Sequence, residues 1–135
     1  MSDFPIFVFH NPACGTSRNV VAMIRAAGYA PEVVEYLQTG WTLDLLEGLL
    51  DAMGAKPRDI LRERGTPVGE LGLLDDDVSD ERLLAAMVVH PILVNRPIVV
   101  SHLGTRLCRP SELVFDLLDR KPDSFTKEDG EVVRP

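Results

Sequence analysis

The sequence predicts an α/β protein built on a mixed four-stranded sheet with a mostly helical insertion. Three observations carry this. Three short runs rich in aromatic and β-branched residues read as strands, Pro5 to Phe9, the stretch around Val33 and Val34, and Ile98 to Val100, and the Leu103-Gly104 turn returns Thr105 to Cys108 as a fourth. Residues Val20, Met23, Ile24 and Ala27 recur at helical spacing between the first two runs, as a parallel β-α-β unit requires. Between the second and third runs lie about 55 residues whose apolar positions follow helical periods.

Taken in order, the first strand is nearly continuous in apolar character, which suits burial on both faces. A helix from Thr16 to Ala27 follows, with Gly28 as its stop. Val33, Val34, Tyr36 and Leu37 form the second strand. Thr42 caps a helix reaching Met53, with Leu45, Leu46, Leu49 and Leu50 on one side and Gly54 ending it. Trp41 reads as a packing lid on that helix rather than a cofactor platform. Pro57 opens a helical turn, Arg58 to Glu63, and Gly65 to Gly72 is a loop. Ser79 or Asp80 caps a helix facing inward through Leu83, Leu84, Met87 and Val88, and His90-Pro91 closes it with His90 as a helix-end group. Asn95 to Val100 leads into the third strand, and Leu103-Gly104 turns it into an antiparallel fourth, with His102 a turn residue without chemistry. Pro110 suits the first turn of a final helix, Ser111 to Leu118. The polar tail, Lys121 to Pro135, reads as peripheral, with a short helix over Thr126 to Val133. No repeat or linker splits the chain, so one domain spans 1–135, with the insertion at about 40–92 and the tail at about 121–135.

The totals restrict function. Hydrophobic residues make up 45% and charged residues 26% of the 135, an ordinary soluble composition. A net charge of −7 argues against a nucleic-acid surface, and an anionic substrate must be drawn by local cations. No run approaches the ~18 apolar residues of a membrane span, so no membrane partner is expected. The start, Met-Ser-Asp-Phe, lacks the basic and apolar regions of a signal peptide. Two cysteines, Cys14 and Cys108, form neither a disulfide framework nor a usual zinc pattern. A reducing, cytoplasmic setting is the expectation.

The chemistry centres on His10 to Asn19. Cys14 falls in the turn between the first strand and the first helix. Free helix amides and the dipole there favour an anion, whether a thiolate or a bound oxyanion. Gly15 permits close backbone approach. Thr16 and Ser17 can cap the helix or donate hydroxyl hydrogen bonds, and Arg18 adds a cation. The competing reading is a small buried cysteine in ordinary strand-turn-helix structure. Arg62 in the insertion, Arg96 before the third strand and Arg109 after the fourth stand at element ends, where guanidinium forks can converge on an oxyanion. The alternative is three solvated arginines, like Arg64, Arg82 and Arg120. Cys108, inside a strand, reads as a buried residue rather than a nucleophile or resolving thiol.

His10-Asn-Pro-Ala-Cys14-Gly-Thr-Ser-Arg-Asn, Asn95-Arg96-Pro97-Ile-Val-Val and Leu103-Gly-Thr-Arg-Leu-Cys-Arg109-Pro closely resemble the glutaredoxin-dependent arsenate reductases. The resemblance runs from about residue 6 to 130 and includes His90-Pro-Ile-Leu and Phe125-Thr-Lys-Glu-Asp-Gly. It implies a thioredoxin-like fold with a helical insertion and a cis bond before Pro97. It implies that Cys14 is the nucleophile, that Arg62, Arg96 and Arg109 surround the oxyanion with Gly15, Thr16 and Ser17 close by, and that His10 favours the thiolate. It also implies arsenate as substrate, no bound cofactor, glutathione as reducing co-substrate and glutaredoxin as partner. Ser17 stands three residues after Cys14, so there is no C-x-x-C pair, in keeping with an external thiol. Two other readings remain: a redox-responsive regulator of the same fold binding RNA polymerase, which that missing pair disfavours, and a reductase of another oxyanion.

Overall fold

The computed structural model describes residues 4–135. Two compact units emerge, one from the stretches up to Glu35 and from Arg96 onward, the other from Tyr36–Asn95.

The first unit holds the sheet. Strand β1 is Phe7–His10, helix α1 is Gly15–Ala26, β2 is Glu32–Glu35, β3 is Ile98–Ser101 and β4 is Gly104–Leu107. Their order is β2-β1-β3-β4. β1 runs parallel to β2, with Val8 opposite Val33, and antiparallel to β3, with Phe9 opposite Ile98. β3 and β4 form a hairpin in which Ile98 faces Leu107 and Ser101 faces Gly104. This is the mixed four-stranded sheet of the thioredoxin-like class. Residues Val8, Val20, Met23, Ile24 and Val99 are wholly buried in one core cluster, and Val114, Phe115 and Leu117 join it from the chain's later segment. The apolar stripe of α1 thus meets one face of the sheet, and removing that area from water drives their union. The α1 C-terminus is closed by Arg120, which donates to the carbonyls of Ala27 (3.3 Å) and Gly28 (3.0 Å) and lies over the Tyr29 ring. Arg120 is therefore a helix-end partner, not a merely solvated arginine.

The second unit is helical. Tyr36–Thr39 forms a single turn, α2, so Tyr36 and Leu37 do not extend β2. Tyr36 is buried and stacks on Trp41 with ring centroids 5.0 Å apart, and its hydroxyl donates to the Val94 carbonyl. Trp41 is packed as the sequence suggests. Thr42 caps α3, Leu43–Met53, by accepting from the Leu45 amide, and Gly54 ends it at φ 64. Leu46, Leu49 and Leu50 are buried while Leu45 is exposed, so the apolar face is narrower than its leucine content implies. Pro57–Ile60 is a 3₁₀ turn. Ser79, not Asp80, caps α4, Asp80–Val89.

Two departures from the sequence reading lie in the final third. Ser111–Leu117 is 3₁₀ rather than α-helix, with Pro110 just outside it. His102 lies in the hairpin turn as expected, where it faces Asp119 Oδ2 at 3.0 Å and stacks on Phe4. The tail forms no helix over Thr126 to Val133. It forms a two-stranded ribbon, β5 Phe125–Thr126 and β6 Val132–Val133, with Phe125 and Val133 packed against the core cluster. Among the described residues no helix is long and apolar enough to cross a membrane.

Candidate functional site

Topology brings the sequence-chosen groups of the first unit to one end of its sheet. β1 and β3 are antiparallel with Phe9 opposite Ile98, so the residues leaving β1 stand beside those entering β3. The β3–β4 hairpin pairs Ile98 with Leu107, which puts the residues leaving β4 at the same end. Cys14, Arg96 and Arg109 each follow or precede these pairs by a few positions. Arg62 belongs to the second unit, where its Nε donates to the Arg64 carbonyl at 3.0 Å.

The turn after β1 is rigidly hydrogen-bonded. Asn11, buried, accepts from the Ala13 amide on its side-chain oxygen (2.9 Å) and from the Cys14 amide on its backbone oxygen (3.0 Å). Cys14 is the N-cap of α1, in extended conformation, and the Arg18 amide donates to its carbonyl. The helix therefore begins at Gly15 rather than Thr16, and neither Thr16 nor Ser17 is its cap. Gly15 and Thr16 are half-buried in its first turn.

The Cys14 sulfur receives Nη1 of Arg109 at 3.7 Å, and the same Nη1 donates to the Arg96 carbonyl at 3.0 Å. Burial pushes the Cys14 thiol up, but the Ser17 backbone N–H, the Arg96 guanidinium and Arg109 act against it, and the net displacement is downward. Each of these favours the charged sulfur, by hydrogen bonding or by charge. The Arg96–Pro97 peptide bond is cis, as the resemblance implies, and so is Arg109–Pro110, which the sequence reading did not anticipate.

His10 reaches this site through Ser17. Its Nδ1 lies 2.7 Å from the Ser17 hydroxyl, which also accepts from the Asn11 amide at 3.1 Å. Ser17 is wholly buried, so its hydroxyl serves this internal network, while its backbone N–H serves the sulfur. Burial holds His10 below its ordinary value, Glu35 opposes this, and Arg18 and Arg25 reinforce it. A neutral ring can accept the Ser17 proton on Nδ1 while the Asn11 amide fills a hydroxyl lone pair.

Cys108 contrasts with Cys14 in what surrounds its sulfur. It is wholly buried within the core cluster, and its thiol is pushed up to about 12, chiefly by burial. Both cysteines are free. One thiol of the two is therefore expected to react with iodoacetamide at pH 7 in the folded protein, and both in denaturant. Mass spectrometry of the digest is expected to place the first label on Cys14. A label on Cys108 under native conditions would contradict the assignment.

The sequence reading missed the contribution of the tail. Glu128 holds Arg18 through two hydrogen bonds of 2.8 and 3.0 Å beside the first turn of α1. Among the described residues, no cluster of three or more His, Cys, Asp or Glu side chains is arranged to hold a metal.

This combination defines a thioredoxin-like protein whose helix-capping thiol is flanked by arginines from a neighbouring hairpin. The chain belongs to the ArsC family, whose sequence profile matches residues 9–117. It is 57% identical over 129 residues to an arsenate reductase of Rhizobium meliloti (strain 1021), which spans 95% of this chain and 92% of that protein. It is 53% identical over 129 residues to an arsenate reductase of Escherichia coli (strain K12), with the same coverage. Its structure matches that of an arsenate reductase from Vibrio cholerae with a TM-score of 0.82 and 36% identity, over 87% of this chain and 100% of the other.

Proposed function

We propose that this protein reduces arsenate to arsenite with glutathione, and that glutaredoxin completes the cycle, in the reducing setting of the cytoplasm. The observation that carries the reading is the Cys14 sulfur, held toward its thiolate form at the start of α1 with Arg96 and Arg109 upon it. The names of the R. meliloti, E. coli and V. cholerae relatives supply the substrate.

The thiolate attacks arsenic, an As–S bond forms, and one arsenate oxygen leaves as water after taking up protons. Arg96 and Arg109 offset the charge on the remaining oxygens and hold the arsenic in line. Gly15 and Thr16 line the approach. Glutathione adds as the second thiol. Arsenic then accepts two electrons and leaves as arsenite, while the two sulfurs, each oxidised by one electron, join as a mixed disulfide. Overall one arsenic acid and two thiols give one arsenous acid, one disulfide and one water. Glutaredoxin exchanges its thiolate for the Cys14 sulfur. Cys14 has no partner cysteine at position 17, where Ser17 is committed to His10, so the second thiol must come from outside. Phosphate, close in shape, binds without being reduced.

Steady-state assay with arsenate, glutathione and glutaredoxin tests this. Arsenite production that stops when either glutathione or glutaredoxin is omitted is the expected result. No turnover of arsenate, with turnover of a different oxyanion, would replace the substrate.

A further inference from the structure

We propose that Arg18 and Glu128 form a positioning clamp through which the C-terminal ribbon aims the Cys14 turn. The argument begins with the three hydrogen bonds of one guanidinium. Arg18 Nε and Nη2 fork onto the two carboxylate oxygens of Glu128, at 2.8 and 3.0 Å. Its Nη1 donates to the carbonyl of Pro12, at 2.8 Å, two residues before the sulfur. The Glu128 amide in turn donates to the Asn19 side chain at 3.1 Å, so the ribbon grips the helix as well as the arginine.

The ribbon can transmit that grip because it is itself anchored. Lys127, with its side chain only 9% exposed, pairs with Glu112 at 2.8 Å. Phe125 and Val133 pack on the core. The turn from Lys127 to Glu131 is closed by two backbone bonds, Gly130 amide to Lys127 carbonyl and Lys127 amide to Glu131 carbonyl. Glu128 is therefore held from both sides, and its carboxylate orients the arginine rather than following it.

The pair is poorly suited to holding the protein together. Arg18 and Glu128 side chains are 44% and 48% exposed, and exposed pairs contribute little to global stability. What the geometry supplies is direction: the fork onto Glu128 fixes the guanidinium plane in which Nη1 meets the Pro12 carbonyl. The adjacent turn sets where the Cys14 sulfur lies relative to Arg109 and the Ser17 amide, and small misplacement of a nucleophile is costly. Arg18 also lies in the field of the Cys14 sulfur, but its own hydrogen bonds go to Glu128 and Pro12, and Arg96 and Arg109 are the arginines that hydrogen-bond the sulfur.

Two variants separate a clamp from a tail fastening. Glu128→Ala removes the fork. Arg18→Lys keeps the charge but, as a single ammonium on a flexible stem, cannot fork onto Glu128 and hold Pro12 together. In both, the amides of Ala13 and Cys14 are expected to exchange about tenfold faster by NMR, with Val8 and Val99 in the sheet unchanged. The kcat with arsenate, per alkylatable Cys14, is expected to fall about tenfold with KM little altered. Unchanged exchange at Ala13 and Cys14, equal acceleration at Val8 and Val99, or unchanged kcat would each overturn the clamp. The kinetic measurement rests on the arsenate reading proposed above, whereas the exchange measurement does not. A wild-type protein inactive on arsenate would defeat that reading and leave the exchange result to decide the clamp.

Discussion

Cys14→Ser is expected to lower arsenite production by about four orders of magnitude or more, to the level of the reaction without protein. The loss is larger than a change of nucleophile alone would bring. A serine hydroxyl in the same place, with the same amide and arginines around it, is far from ionised at pH 7. Even if its oxygen bonded to arsenic, it could not supply the electron that the proposed cycle needs, because in that cycle the two electrons arsenic accepts come from a pair of sulfurs that join. In that cycle the substitution removes nucleophile and reductant together and leaves Arg96 and Arg109, the proposed anion-binding groups, in place. Calorimetry is expected to show arsenate binding retained, and the assay to show no arsenite. Substantial turnover by this variant would remove Cys14 from the reaction. Cys108 provides the control, since its thiol is pushed up to about 12 and lies in the core. Cys108→Ala is expected to keep the wild-type rate and to change stability only through lost packing.

The parts of the fold visible in the sequence were those set by local periodicity and caps. The α1 and α3 helices ended where Gly28 and Gly54 punctuate them, with positive φ at both. The β3–β4 hairpin was legible from its β-branched run and the glycine after Leu103. Tyr36 was misleading because an aromatic beside a strand reads as more strand. Its neighbours, however, place it on a helical turn where its ring meets Trp41 and its hydroxyl meets Val94. The tail was misjudged although Asp129-Gly130, between Phe125-Thr126 and Val132-Val133, is a hairpin signal in its own right. Its polar composition hid the two apolar residues that anchor it.

The site divides in the same way. Cys14 announced itself because a thiol at a strand-helix junction meets a physical field that position alone determines. Arg96 and Arg109 could be placed together once the strand order was granted, because an antiparallel hairpin returns its ends to one edge. The Arg18–Glu128 pair could not be read, since it joins residues 110 positions apart through a ribbon the sequence reading took for helix. The sequence points to Ser17 through its hydroxyl, as a cap or a donor at the site. Its hydroxyl is turned inward to His10, and it is the backbone N–H that meets the sulfur.

Arg109→Lys is expected to reduce kcat/KM for arsenate by about a hundredfold, and Arg109→Gln by more. One guanidinium nitrogen of Arg109 meets both the Cys14 sulfur, at 3.7 Å, and the Arg96 carbonyl, at 3.0 Å. A lysine ammonium retains the charge but not the planar fork that lets one side chain span the sulfur and the backbone and, in the proposed reaction, reach an arsenate oxygen as well. Glutamine keeps polarity and loses the charge. The sign of the pH effect separates the two. In the native protein Arg109 is one of the groups holding the Cys14 thiol down, so the thiolate is formed at lower pH than an ordinary cysteine's. Removing the cation raises that thiol, the acid limb of the kcat/KM profile moves to higher pH, and part of the Arg109→Gln deficit is recovered as pH rises. In Arg109→Lys, where the charge remains, the limb is expected to move less and the deficit to persist at high pH, because what is lost is orientation in the transition state. Arg106→Lys, on β4 three residues before Arg109 and paired with Asp116 at the surface, is expected to leave the profile in place. If Arg106→Lys and Arg109→Lys fell equally, the arginine beside the sulfur would have no special part in the chemistry.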